Sequence, residues 1–181
     1  TATLTKNGSA LPDYRWSLGQ NFQYKKLSVY ALFDAVKGNN IWNEERQWSY
    51  GDLMHEDVDQ YNKTVATAKP IGYYWRNNTE NTAGVGGLYD ILGPSSRTVE
   101  DASYIKLREV SVGYRFGKIA GRGDWTLSLV GRNLKTWTNY NGFDPEVGLS
   151  GGTNGSGALN AIDAYTFPNL RTFTLTLTTS F

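Results

Sequence analysis

The sequence predicts an all-β protein whose antiparallel strands span a membrane as part of a transmembrane β-barrel. Three observations lead there. Five segments alternate apolar and polar residues with a period of two. The connections between them alternate between short and long, as periplasmic turns and extracellular loops do in such barrels. Aromatic residues gather towards the strand ends, where a barrel meets its two membrane interfaces.

The first strand, residues 13–24, places Tyr14, Trp16, Leu18, Phe22 and Tyr24 on one face and Arg15, Ser17, Gly19, Asn21 and Gln23 on the other. A short turn at Lys25 and Lys26 leads into a second strand, residues 27–36, with Leu27, Val29, Ala31, Phe33 and Ala35 facing away from Ser28, Tyr30, Leu32 and Asp34. The two read as a hairpin. Residues 37–101 lose the alternation and read as a long loop. Within it NEERQWSYGDLMHEDVDQ (43–60) combines helix formers with an acidic bias and allows one or two short helices.

The third strand, SYIKLREVSVGYRF (103–116), changes its apolar phase from Ile105 and Leu107 to Val110, Val112, Tyr114 and Phe116. A β-bulge near Glu109 would produce that switch. After the turn GKIAGRGD, Trp125, Leu127, Leu129 and Gly131 alternate with Thr126, Ser128, Val130 and Arg132 in a strand over residues 125–134. A second Gly- and Asn-rich loop, residues 135–168, precedes the last strand, residues 170–181, where Phe173, Leu175, Leu177, Thr179 and Phe181 share one face and threonines with Ser180 the other.

If both short turns are periplasmic, the two long loops are extracellular. Phe22, Tyr24, Tyr114, Phe116, Trp125 and Phe181 then fall near the inner rim, and Tyr14, Trp16, Phe33 and Phe173 near the outer one. Leu18, Leu27, Val29, Leu127, Leu129, Phe173, Leu175 and Leu177 are expected to face lipid. A soluble β-sandwich would alternate as well, but sandwiches show turn signals every 8 to 12 residues, and excursions as long as these are uncommon in them.

Composition restricts the function classes. Of the 181 residues 39% are hydrophobic and 14% aromatic, and the net charge of +1 leaves no basic footprint for nucleic acid. With no cysteine there are no disulfides or thiolate metal sites. No run approaches the ~18 apolar residues of a membrane-spanning helix. The opening TATLTKNGSALPDY has no charged region followed by an apolar one, so either export is encoded upstream or the chain is soluble.

The segments SYIKLREVSVGYRF, GRNLKTWTNYNGFDPEV and FPNLRTFTLTLTTSF, in that order and spacing, resemble the C-terminal end of the SusC/RagA family of TonB-linked outer-membrane transporters. GSALPDYRWSLGQNFQYKKLSVYALFDAVKGNNIWN resembles the preceding hairpin more loosely, and residues 44–98 carry no motif of the family. The resemblance implies a 22-stranded barrel filled by an N-terminal plug, importing glycans, peptides or similar nutrients with energy from TonB and capped by a SusD-like lipoprotein. The chain departs from that pattern in having no plug and too few strands to close around a lumen. An open sheet leaves unpaired edge groups that lipid cannot satisfy, so the chain is expected to be the last part of a longer protein or one piece of a split barrel. The resemblance also makes Phe173, Leu175, Leu177 and Phe181 a candidate recognition signal for the barrel-assembly machinery.

Chemistry-bearing motifs are few. Asp52-Leu-Met-His-Glu-Asp57 could bring carboxylates and His55 near one metal, but no ligand set of fixed spacing recurs, and it reads as a solvated loop. The run GLSGGTNGSG (148–157) lacks the Gly-Lys-Ser/Thr of a phosphate loop and reads as a flexible loop. No catalytic set stands out, and no cofactor is expected. The loop aromatics Trp42, Trp48, Tyr50, Tyr73, Tyr74, Trp75, Trp137 and Tyr140 could stack on sugar faces or pack against a partner. Two functions remain: a portion of a nutrient importer, or a secreted β-rich module that holds carbohydrate on exposed aromatics.

Overall fold

A computed structural model describes residues 6–69, 96–119, 121–146 and 161–180. They form two units. One comprises Leu11–Asn39, Asp101–Glu146 and Phe167–Phe181, the other Thr1–Ala10, Asn40–Glu100 and Val147–Thr166.

The first unit is a five-stranded antiparallel sheet of β1 (Tyr14–Tyr24), β2 (Leu27–Lys37), β5 (Tyr104–Ile119), β6 (Arg122–Thr138) and β8 (Thr172–Ser180), in the order β1-β2-β5-β6-β8. In the turn joining β1 to β2, Lys25 has a φ of 53°. The chain reverses between Ile119 and Arg122, with Gly121 at a φ of 74°, a conformation that glycine adopts without steric cost.

Register aligns the apolar residues into rows that cross the whole sheet. Tyr24, Leu27, Tyr114, Leu127 and Leu177 form one row, and Phe22, Val29, Val112, Leu129 and Leu175 the next. The opposite face carries Gln23, Ser28, Gly113, Ser128 and Thr176 in one row and Asn21, Tyr30, Ser111, Val130 and Thr174 in its neighbour. The register between β2 and β5 shifts between Leu32 and Phe33, and that between β5 and β6 shifts between Leu107 and Glu109. Arg108 is thus the extra residue of β5. It brings Ile105 and Leu107 onto the same face as Val110 and Val112, one residue from the bulge that the phase change predicts.

The apolar rows are not covered. Leu175 is 69% exposed, Phe173 66%, Leu177 61% and Leu18 54%. A continuous face of this kind marks a surface that meets lipid or another apolar partner, because contiguous exposed apolar patches are rare on soluble monomers.

The second unit holds three strands where the sequence shows only loop, and a helix and a 3-10 turn within the 43–60 stretch that allows them. β3 (Asn40–Asn43), β4 (Val99–Asp101) and β7 (Ile162–Asp163) make a three-stranded sheet in the order β4-β3-β7. β3 and β7 run parallel, with Trp42 opposite Ile162 and Asn43 opposite Asp163. The two long excursions from the larger sheet are therefore joined to each other by backbone pairing. Directly after β3 comes α1 (Glu44–Gly51). Asn43 caps it by accepting from the Arg46 amide at 2.8 Å, and Glu44 and Glu45 complement the positive end of its dipole. A short 3-10 turn follows at Glu56–Val58.

Candidate functional site

Polar side chains on the inner face of the larger sheet converge on one cluster. Lys106 donates to Asp144 Oδ1 at 2.6 Å and to Glu146 Oε2 at 2.8 Å. Arg108 grips Glu146 with two nitrogens, both at 2.6 Å, and also donates to Asp34 Oδ2 at 2.6 Å. Ser17 donates to the other oxygen of Asp34 at 3.0 Å, and the Glu146 amide to Asp144 Oδ1 at 3.0 Å. Side chains of Lys106 and Asp144 are 3% and 7% exposed. Buried charges persist only when paired and hydrogen-bonded in this way.

The physical sense of two quoted motifs becomes visible here. Lys106 and Arg108 of SYIKLREVSVGYRF and the carboxylates of NGFDPEV form one clasp, which holds the segment after β6 against β5. The signal was present in the sequence: cations on the polar side of a strand call for carboxylates, and Asp-Pro-Glu follows the next strand.

Burial raises the Glu146 carboxyl, but hydrogen bonds from Arg108 and Lys106 outweigh it and hold its pKa at about 2, against an ordinary 4.5. The folded protein thus binds fewer protons at this group than the unfolded chain does. Its stabilisation is complete above pH 4.5 and is lost as the pH falls towards about 2. Glu146→Gln is expected to flatten the acid limb of the unfolding profile in that window. Acid limbs of equal slope in both proteins would assign the limb to other groups.

The candidate aromatics separate by position. Tyr50 is buried, stacked on His55 with ring centroids 4.1 Å apart. Its hydroxyl donates to Asp57, and burial together with that bond pushes its pKa up to about 12. Trp42 is half-buried and donates from Nε1 to Gln47 at 2.6 Å, while Trp48 on α1 remains 40% exposed. Tyr140 is buried. Trp137 lies in β6 rather than in the loop expected over residues 135–168, and it shares the apolar face with Ile105, Ala35 and Trp16. Tyr73, Tyr74 and Trp75 lie outside the described residues, as do the Gly148–Gly157 run and Phe181. Of the candidate assembly residues, Phe173, Leu175 and Leu177 occupy the outward face of β8.

A scan against protein-family profiles finds no match. Two TonB-dependent receptors of Formosa agariphila, P26 and P3, are 30% and 28% identical over 96% of this chain. A third, P39, is 27% identical over 80%. The chain spans only 17% of the length of P26 and of P3. Among solved structures, the RagAB peptide importer in its closed-closed state superposes with a TM-score of 0.64 at 21% identity, covering 97% of this chain and 18% of that one. The structure of the RagAB peptide transporter gives 0.62 at 22% identity, over 96% and 18%. Likeness at that identity establishes the fold, and the curated relatives add homology over nearly the whole chain. The relatives of the chain over nearly its whole length are thus TonB-dependent receptors, and its fold is that of part of a SusC/RagA-type barrel.

Proposed function

We propose that the chain forms a multi-pass β-barrel portion of an outer-membrane importer that takes up glycans, peptides or similar nutrients, with TonB acting through a part of the protein not contained here. The observation that carries this reading is the two-faced sheet: apolar rows cross all five strands on one side and hydroxyls, amides and paired charges cross them on the other. That is the division between lipid and an aqueous lumen. Homology to receptors rather than to enzymes agrees with transport and not catalysis.

In this reading the loop unit faces the cell exterior. Its exposed aromatics Trp48, Tyr61 and Tyr165 offer a SusD-like lipoprotein or the cargo rigid amphipathic contacts. The outward row Phe173, Leu175 and Leu177 serves the barrel-assembly machinery before it meets lipid.

Fractionation and labelling test the proposal together. The full-length protein is expected in the outer-membrane fraction and to need detergent for release. Because the chain has no native cysteine, Val65→Cys, at a site 98% exposed in the loop unit, should react with an impermeant thiol reagent on intact cells. Lys118→Cys, beside the short β5–β6 turn, should not. Release without detergent would return the chain to the carbohydrate-binding module, and the reverse labelling would invert the orientation.

A further inference from the structure

The outward face departs from its apolar character at the end where the long excursions leave the sheet. There Trp16, Ala35, Ile105 and Trp137 form one row across β1, β2, β5 and β6. The row beyond it sets Tyr14 beside Lys37, and the row nearer the middle of the sheet runs Leu18, Phe33, Leu107, Lys135. A groove of about 630 Å³ opens here, with Trp16 and Trp137 in its walls, Ala35 and Ile105 between them, and Lys37 and Lys135 at its lining. Asp101 also lines it, 3.6 Å from Lys37, with both side chains about half exposed. A pair that loose and wet holds Lys37 only weakly. Lys135 is exposed and, among the described residues, has no ion-pair partner.

A cation on a face otherwise built for hydrocarbon needs an anion at the level its ammonium can reach. The stem of Lys135 can lie along the apolar surface while its charge reaches towards the interface, and the two tryptophans mark where that interface falls. Ammonium groups bind phosphate oxygens as point charges. Below the groove the surface is apolar, through Leu18, Phe33 and Leu107. A soluble anion would leave that part unused, whereas an amphiphile matches both. We infer that this groove holds the headgroup of an anionic, phosphate-bearing membrane lipid, with the phosphate between Lys135 and Lys37 and the acyl chains along Leu18, Phe33 and Leu107. The inference rests on the proposed reading that the outward face meets lipid.

The test uses the full-length protein extracted in neutral detergent, incubated with phosphatidylglycerol or phosphatidylcholine and examined by native mass spectrometry. Phosphatidylglycerol should be retained in preference to phosphatidylcholine. One lysine near an anionic headgroup corresponds to about a fivefold change, so Lys135→Gln should lower that preference by about fivefold. Lys135→Arg should keep it, and Lys63→Gln, in the loop unit, should leave it unchanged. Equal retention of the two lipids, or an unchanged preference in Lys135→Gln with its fold intact by circular dichroism, overturns the inference. Displacement by excess inorganic phosphate would show a free-anion site and overturn it too. A protein recovered without detergent fails the underlying reading instead, which separates the two failures.

Discussion

Lys106→Ala is expected to destabilise the assembled protein by about 3 to 5 kcal/mol, the range for removing one partner of a buried ion pair. The side chain it strips away is 3% exposed, and it leaves Asp144, 7% exposed, without its cation. Among the described residues Asp144 then keeps only the Glu146 amide at 3.0 Å. Glu146 retains Arg108, so the damage should concentrate at Asp144 rather than spread over the whole clasp. The shift in urea midpoint of the full-length protein measures it. Lys106→Met combined with Asp144→Leu should recover most of the loss, because replacing both partners with apolar groups of similar size leaves no unpaired charge. A single variant within about 0.5 kcal/mol of wild type, the usual range for inert surface changes, would show that water or another group replaces the lysine.

Arginine at Leu175 is expected to impair assembly severely, and arginine at Thr174 to be tolerated. The two positions are consecutive in β8, so strand propensity and position along the sheet are closely matched. They differ in the face they present: Leu175 stands in the row of Leu129 and Val112, and Thr174 in the row of Val130 and Ser111. On a lipid-facing barrel surface Arg costs about 2 to 4 kcal/mol near the midplane, whereas on a lumen face it stays hydrated. The level of folded protein in the outer membrane reads the difference. Equal levels for the two variants would remove the assignment of faces.

The alternation that made β1, β2, β5 and β8 legible is a direct imprint of a sheet with one apolar and one polar face. Even the bulge at Arg108 left a mark, as a change of apolar phase between Leu107 and Val110. Elsewhere the imprint fails for physical reasons. Past Gly131 the alternation of β6 breaks: Asn133 has a φ of 52°, Leu134 lies over Gly131 on the apolar face and Lys135 follows it there, so the period-two signal stops before the strand does at Thr138. That is why Trp137 reads as a loop aromatic. β3, β4 and β7 are too short to show any period, and the pairing of Trp42 with Ile162 joins residues far apart in sequence. The clasp between KLRE and DPE was visible as two motifs, but charge complementarity between distant segments has no periodicity to reveal which carboxylate meets which cation. Tyr50 and Tyr140 illustrate a further limit. Aromatic side chains in polar, irregular stretches look exposed, yet these two are buried, Tyr50 stacked on His55.

The parallel pairing of β3 with β7 bears on how such proteins diversify. A hairpin loop can be exchanged between homologues on its own, because its two ends lie side by side and nothing else depends on its interior. Here the interior of one excursion supplies the hydrogen-bonding edge for the interior of the other, so a recombination event that imports only residues 40–100 or only residues 147–166 brings in an incomplete sheet. Inheritance should therefore treat the two stretches as a linked pair, although the strands β5 and β6 separate them in the gene.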